Sequence, residues 1–129
     1  MANEKCRAVL TPGTHATTFG GNPICCAGGL SVLEQLDDAL LADVKKKGAY
    51  LKEKISAMPG VKEVRGMGLM LGVALTDQEG YGAKVNAMIE KGLLCLTAGH
   101  STIRLLPPLT ISQEEMDQGL AIMAEVLGA

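Results

Sequence analysis

The chain has very few aromatic residues and no excess of positive charge. Tryptophan is absent, Phe19 is the single phenylalanine, and aromatic residues make up 2% of the 129 positions. The 12 basic and 14 acidic residues give a formal net charge of -2. Nucleic acids are bound through aromatic stacking and basic surfaces, and anionic membranes also attract a basic face. The composition therefore predicts no nucleic-acid or membrane partner and favours a small ligand or another protein.

Long apolar runs and paired cysteine motifs are also missing. No apolar stretch is long enough to cross a bilayer, and the start "MANEKCRAVL" lacks a signal-peptide pattern. The four cysteines (Cys6, Cys25, Cys26 and Cys95) lack C-x-x-C spacing, so neither a metal site nor a disulfide framework is predicted. We interpret them as reduced, partly buried thiols and expect a cytoplasmic protein. The length and the hydrophobic content of 47% predict a single domain.

Apolar periodicity predicts helices and strands in one α+β sandwich. Asn22 and Pro23 begin a helix that runs to about residue 38, and a second helix covers about residues 40–58. Residues 61–75 are predicted as one strand, with residues 69–75 central in the sheet and covered on both faces. A helix at 81–91, strands at 93–96 and 102–106, a turn at 98–101 between them, and a last helix follow. Ser112 and Glu115 form a capping box at the start of that last helix.

The stretch "GTHATTFGGNP", residues 13–23, has the residue chemistry of an anion-binding loop. Thr17 and Thr18 supply hydroxyl donors, and the adjacent glycines let backbone N–H groups approach a phosphate oxygen. The alternative is a plain turn that caps the helix beginning at Pro23.

Arg104 lies between Ile103 and Leu105, and these apolar neighbours predict a buried position. A buried guanidinium needs an anionic partner, and its planar fork can bind a carboxylate bidentately. The residue types alone leave two interpretations open. One is a ligand carboxylate, and the other is an internal ion pair with one of the 14 acidic residues.

Three motifs carry a family resemblance. "VLTPGTHATTFGGNP", "EVRGMGLMLGV" and "IRLLPPLTIS" resemble, in that order, the C-terminal third of class III aminotransferases, the pyridoxal-phosphate enzymes of fold type I. The resemblance extends over nearly the whole chain. It implies an α+β fold, the small C-terminal domain of such an enzyme, with a short, mostly antiparallel sheet covered by helices. It also implies that residues 1–22 pack on a large domain and contain the phosphate-binding loop 13–22, and that 23–129 form a connecting helix and the small domain.

The resemblance assigns roles to the two candidate sites. It implies that Thr18, with Thr17 adjacent, binds the 5′-phosphate of pyridoxal phosphate in the active site of the other subunit of a homodimer. It implies that Arg104 binds the α-carboxylate of the substrate, in a reaction between an amino acid and a 2-oxo acid. The motifs are most similar to those of the acetylornithine subgroup of arginine biosynthesis. The ornithine, succinylornithine and 4-aminobutyrate subgroups are the alternatives.

The chain lacks the catalytic residues of this chemistry. A Schiff-base lysine and an acidic partner for the pyridinium nitrogen are required, and in the family both lie upstream of the matched region. None of the lysines here has the family's Schiff-base context, so no catalytic residue is assigned and the fragment alone is expected to be inactive. The alternative from another class is a non-catalytic ligand-binding or interaction module of the same fold.

Overall fold

A computed structural model describes residues 3–6, 8–9, 11, 13–77 and 79–128. The chain forms two compact units, Met1–Leu36 and Asp37–Ala129. Residues 1, 2, 7, 10 and 12 of the predicted segment 1–22 lie outside the described residues. No helix in the described part is long and apolar enough to cross a membrane.

The first unit contains a short 3-10 turn, Glu4–Cys6, and helix α1, Pro23–Gln35. Asn22 caps α1 as predicted, because its side chain accepts hydrogen bonds from the N–H groups of Ile24 and Cys25. The helix ends three residues before the predicted boundary, since Leu36 leaves the helical conformation and Asp37 caps the next helix. No residue of α1 is buried.

The second unit is built from three helices and a four-stranded sheet. Its elements in chain order are α2 (Asp38–Ser56), β1 (Val61–Met67), β2 (Met70–Leu75), α3 (Tyr81–Glu90), β3 (Leu96–Thr97), β4 (Thr102–Leu105) and α4 (Gln113–Leu127). The strand order is β1-β2-β4-β3, and every neighbouring pair is antiparallel. The predicted α+β class with a short antiparallel sheet is confirmed.

The predicted single strand 61–75 is wrong, because the segment folds into a hairpin. Met67 pairs with Met70, which leaves Gly68 and Leu69 as a two-residue turn. Gly68 has a φ of 55°, in the left-handed region that glycine enters without a steric penalty. The sequence pattern missed the turn because apolar residues continue on both sides of it.

The prediction that residues 69–75 are covered on both faces is also wrong. Leu71, Val73 and Leu75 are buried, whereas Gly72 and Ala74 between them are only half-buried. The helices of this unit pack on one face of the sheet, and the small residues of β2 lie on the other. The buried face contributes Val64, Leu71, Val73, Leu75, Ile103 and Leu105 to one core with Val44, Leu51, Ile55, Val85, Met88, Met116, Leu120 and Met123 of the helices.

The C-terminal elements follow the prediction closely. The capping box at Ser112 and Glu115 is confirmed, with reciprocal hydrogen bonds of 3.1 and 2.8 Å. The strand predicted at 93–96 is wrong apart from Leu96, because β3 is Leu96–Thr97. The strand predicted at 102–106 ends one residue earlier, at Leu105. The turn predicted at residues 98–101 does connect β3 to β4, with φ values of 61° at Gly99 and 47° at Ser101.

Candidate functional site

The loop before α1 is closed by its own backbone. The N–H of Thr14 and its hydroxyl both donate to the carbonyl of Thr11, at 3.1 and 2.6 Å. Further along, the N–H of Asn22 donates to the carbonyl of Phe19 at 3.0 Å, so the loop turns directly into α1. A Cβ placed on Gly20 would lie 2.5 Å from Cγ2 of Thr17, so a larger residue there would require the side chain of Thr17 to shift.

Thr17 and Thr18 present free hydroxyl groups within this loop. Both residues are exposed, and neither hydroxyl makes a hydrogen bond within the described residues. Two neighbouring hydroxyl donors on a glycine-containing turn fit the chemistry of a phosphate group, which needs several donors at short range. The loop therefore has a donor set suited to a phosphate group.

The prediction that Arg104 is buried is wrong. Ile103 and Leu105 are buried, but side chains alternate along a strand, so Arg104 between them lies on the opposite, open face. No carboxylate lies within ion-pair distance of its guanidinium among the described residues. The internal ion pair that the sequence left open is absent from this part of the chain, and the guanidinium remains available to an external anion.

A groove on the open sheet face contains Arg104. It encloses about 260 Å³, and its lining includes Arg65, Met67, Met70, Gly72, Ala98 and Arg104. We call this surface the arginine groove. In the sheet register Arg65 pairs with Gly72, and Gly72 pairs with Arg104, so the two arginines flank one glycine. The groove has mostly apolar walls, and the side chains of Arg65 and Arg104 both line it.

Sequence reasoning gave Arg65 no role. Its Nη2 donates to the hydroxyl oxygen of Thr102 at 3.4 Å, and its Nη1 lies 4.0 Å from a carboxylate oxygen of Glu63. The hydroxyl of Thr102 in turn donates to the carbonyl of His100 at 2.9 Å. The signal that would have found Arg65 is the strand alternation, once the hairpin register was known, because it places residues 65, 72 and 104 in one row.

The buried thiol of Cys95 does not belong to the site. Burial raises its pKa, which leaves it a protonated, packed side chain rather than a nucleophile. Cys6, Cys25 and Cys26 are exposed and unpaired. The prediction of reduced thiols fits these positions, although only Cys95 is buried.

The candidate residues fall in different units of the chain. Thr17 and Thr18 belong to the first unit, whereas Arg104 and the arginine groove belong to the second. Each is thus a partial site: one unit offers hydroxyl donors for a phosphate and the other offers guanidinium groups for a carboxylate. An amino-acid-converting enzyme that uses a phosphorylated cofactor needs both.

A family model described as aminotransferase class-III matches residues 1–127. The chain belongs to the class-III aminotransferase family. Among curated members, an acetylornithine aminotransferase of Lactococcus lactis is 39% identical, with 98% of this chain and 35% of that protein covered. An ornithine aminotransferase of Bacillus subtilis is 40% identical, with coverage of 98% and 32%. The chain spans about a third of the length of these class-III relatives.

Solved structures of class-III aminotransferases show the same fold. The acetylornithine aminotransferase of Elizabethkingia anophelis matches with a TM-score of 0.77 and 30% identity, over 98% of this chain and 35% of that one. The ornithine aminotransferase of Toxoplasma gondii matches with a TM-score of 0.74 and 31% identity, over 93% and 30%. The predicted fold, the small C-terminal domain of a fold type I enzyme, is confirmed.

Proposed function

We propose that the chain is the C-terminal part of a pyridoxal-phosphate-dependent aminotransferase that transfers the amino group of N-acetylornithine to 2-oxoglutarate. The observation that carries this proposal is Arg104. It is an exposed guanidinium on a sheet face, without an ion-pair partner in the described part of the chain, and it lines a groove with apolar walls. Such a group fits a substrate carboxylate, and the family context makes that substrate an amino acid or a 2-oxo acid.

Arg104 orients the substrate in this proposal. Its fork donates two parallel hydrogen bonds to a carboxylate, which fixes the plane of that group as well as its position. β4 is paired on both sides, with β2 and with β3, so the arginine extends from a well-supported strand. A carboxylate anchored there presents the α-carbon of the substrate in a constant direction, which supports reaction at that carbon.

Thr17 and Thr18 hold the cofactor phosphate in this proposal. In it, their hydroxyls donate to the phosphate oxygens, and both residues are exposed on the loop. Pyridoxal phosphate supplies an electron sink for the amino-acid α-carbon when it is bound. We further propose, from the family resemblance, that the loop serves the active site of a partner subunit in a cytoplasmic homodimer. In the same proposal residues 1–22 pack on a large domain.

The lysines of the described part support the expectation that this fragment alone is inactive. Three of them form ion pairs, Lys47 with Asp43, Lys84 with Asp77 and Lys91 with Glu125, and Lys54 lies over the ring of Tyr50. These are surface contacts typical of charged helix faces, and none places a lysine in a cofactor site. We therefore propose that the Schiff-base lysine comes from a part of the enzyme other than this chain.

Ornithine is the main alternative amino donor, and the 40% identity to the Bacillus subtilis ornithine aminotransferase favours it. Succinylornithine and 4-aminobutyrate are further alternatives, as is a non-catalytic module of the same fold. The distal part of the substrate distinguishes the donors, and the groove around Arg104 recognises only the carboxylate that all of them share.

The test is an activity assay of the chain alone and of the complete protein read from the gene. With pyridoxal phosphate, N-acetylornithine and 2-oxoglutarate, we expect no glutamate from the chain and measurable glutamate from the complete protein. The complete protein should have a higher kcat/KM for N-acetylornithine than for ornithine, succinylornithine or 4-aminobutyrate. Turnover by the purified chain, or a complete protein inactive with all four donors, would contradict the proposal.

A further inference from the structure

Arg65 occupies the same face of the sheet as Arg104. Residues Arg65, Gly72 and Arg104 are register partners on three adjacent strands, β1, β2 and β4. Strands in a sheet are about 4.8 Å apart, so the Cα atoms of the two arginines are about 10 Å apart, with the glycine midway between them. Both side chains line the arginine groove.

The side chain of Arg65 already reaches across β2. Its Nη2 donates to the hydroxyl oxygen of Thr102, which is on β4, two residues from Arg104. The guanidinium of Arg65 therefore lies on the β4 side of the groove. The hydroxyl of Thr102 is held by its own bond to the carbonyl of His100, so Arg65 is bonded to a buried, anchored residue.

Small residues on β2 make this crossing possible. Met70, Gly72 and Ala74 are the β2 residues on the open face, and the two small ones leave space above the strand. A Cβ on Gly72 would meet Cγ2 of Thr102 at 3.3 Å, tighter than an ordinary contact. A larger side chain at position 72 would occupy the space between the two guanidinium groups.

The charges in the groove favour an anion. A carboxylate oxygen of Glu63 lies 4.0 Å from Nη1 of Arg65, and both of these side chains are 58% exposed. An exposed pair of this kind is weak, and it leaves Arg104 uncompensated within the described residues. Met67, Met70 and Ala98 line the same groove beside the two arginine side chains. Two positive charges with one weakly held acidic neighbour attract a carboxylate.

We propose that Arg65 is a second carboxylate-binding residue, and that it and Arg104 together hold one substrate carboxylate above Gly72. Arg104 supplies the bidentate fork, and Arg65 adds a charged N–H donor kept in position by Thr102. The inference rests on the proposed function for the identity of the substrate, because it is the carboxylate assigned to Arg104 that the two residues share. The chemistry requires only a carboxylate, which the amino donor and the 2-oxo acid both carry.

Titration of the 129-residue chain with 2-oxoglutarate tests this inference. The backbone amide signal of Gly72 is followed by NMR in the unmodified chain and in the variants Arg65→Gln, Arg65→Lys and Arg104→Gln. Lys52→Gln is the matched control, because it also removes one positive charge from an exposed position, but on α2, which packs against the opposite face of the sheet. Each spectrum also shows that the variant is folded.

We expect a saturable shift of the Gly72 amide in the unmodified chain. Arg65→Gln should raise the dissociation constant by about three- to tenfold, the range for a charge-assisted contact at an exposed site. The dissociation constant of Arg65→Lys should lie between those of the unmodified chain and Arg65→Gln, and that of Lys52→Gln should equal that of the unmodified chain. Gly72→Val, followed through the backbone amide at position 72, should raise the dissociation constant as well, because the side chain fills the floor of the groove while the net charge stays the same.

Two other results would overturn the shared site. If Arg104→Gln weakens binding and Arg65→Gln does not, Arg65 has no role while the carboxylate assignment of Arg104 stands. If the unmodified chain shows no saturable shift, or if neither arginine affects it, the two arginines do not form a site. The role of Arg104 in the complete enzyme is then decided separately, by substrate kinetics.

Discussion

Glu115 shows at the level of one residue how the capping box stabilises α4. The N–H of Ser112 donates to Oε2 of Glu115 at 2.8 Å, and this bond lowers the pKa of the carboxyl group. A group whose pKa is lower in the folded chain stabilises the fold above its unfolded pKa, about 4.3 for glutamate. That stabilisation is lost as the pH falls through the lower, folded value.

Glu115→Gln should therefore destabilise the chain near neutral pH and lose its effect in acid. The amide oxygen of glutamine still accepts a hydrogen bond, so the pH-dependent difference reports the charge alone. Urea unfolding of both proteins near pH 7 and below about pH 3 measures it. Glu114→Gln is the control, because it removes a charge from the same helical turn without breaking the bond to Ser112. A difference that persists unchanged in acid would contradict this account.

Arg104 shows what a single position in a sequence can and cannot predict. Its residue type and the motif "IRLLPPL" predicted a carboxylate-binding role, but its apolar neighbours predicted burial, and the structure places it on the open face. Arg104 would be buried only if a second layer of structure covered the open face of the sheet. The alternation of side chains along one strand does not show whether such a layer exists. Arg65 was overlooked for a related reason, since its relation to Arg104 depends on the register of β1, β2 and β4.

The contact between α2 and the β1–β2 turn fixes how a helix packs against the sheet. A Cβ on Gly48 of α2 would lie 2.2 Å from the carbonyl oxygen of Gly68 in the turn, and Gly68 itself approaches Cγ1 of Val44. Gly68 is therefore both the turn residue and the point where the backbone approaches α2 closely. The sequence could not predict that Gly48 is its partner, because helical periodicity gives the buried side of α2 and not the strand or turn beneath it.

Gly48→Ala should destabilise the chain because the contacted atom belongs to the backbone and cannot rotate away. We expect the free energy of unfolding to fall by about 1 to 3 kcal/mol, the usual range for an overpacked core. Gly82→Ala in α3 is the control, since its Cβ would meet nothing within 4 Å. It should be neutral or stabilising by up to about 1 kcal/mol. Equal urea midpoints for Gly48→Ala and the unmodified chain would show that the turn shifts without cost.

At the scale of the whole molecule, the two candidate sites belong to different units of the chain. Thr17 and Thr18, which we propose bind the phosphate, are in the first unit, and the arginine groove, which we propose binds the carboxylate, is in the second. The chain covers about a third of its relatives' length. The three sequence motifs predicted the family and the fold class, and the comparisons confirm both. They could not predict how phosphate and carboxylate sites come together, because that arrangement depends on a large domain and a second subunit in our proposal.

The most direct test of the central claim compares Arg104→Lys and Thr18→Ala in the complete enzyme. Arg104→Lys keeps the charge but loses the planar fork, so binding of substrate carboxylates should weaken by about 1 to 3 kcal/mol while retention of pyridoxal phosphate hardly changes. Thr18→Ala should do the reverse, since it removes a phosphate donor. The measurement is the amino-acid dependence of the half-reaction, together with the rate of cofactor dissociation. If Arg104→Lys leaves substrate affinity intact and lowers only the stability of the fold, Arg104 does not bind the substrate carboxylate.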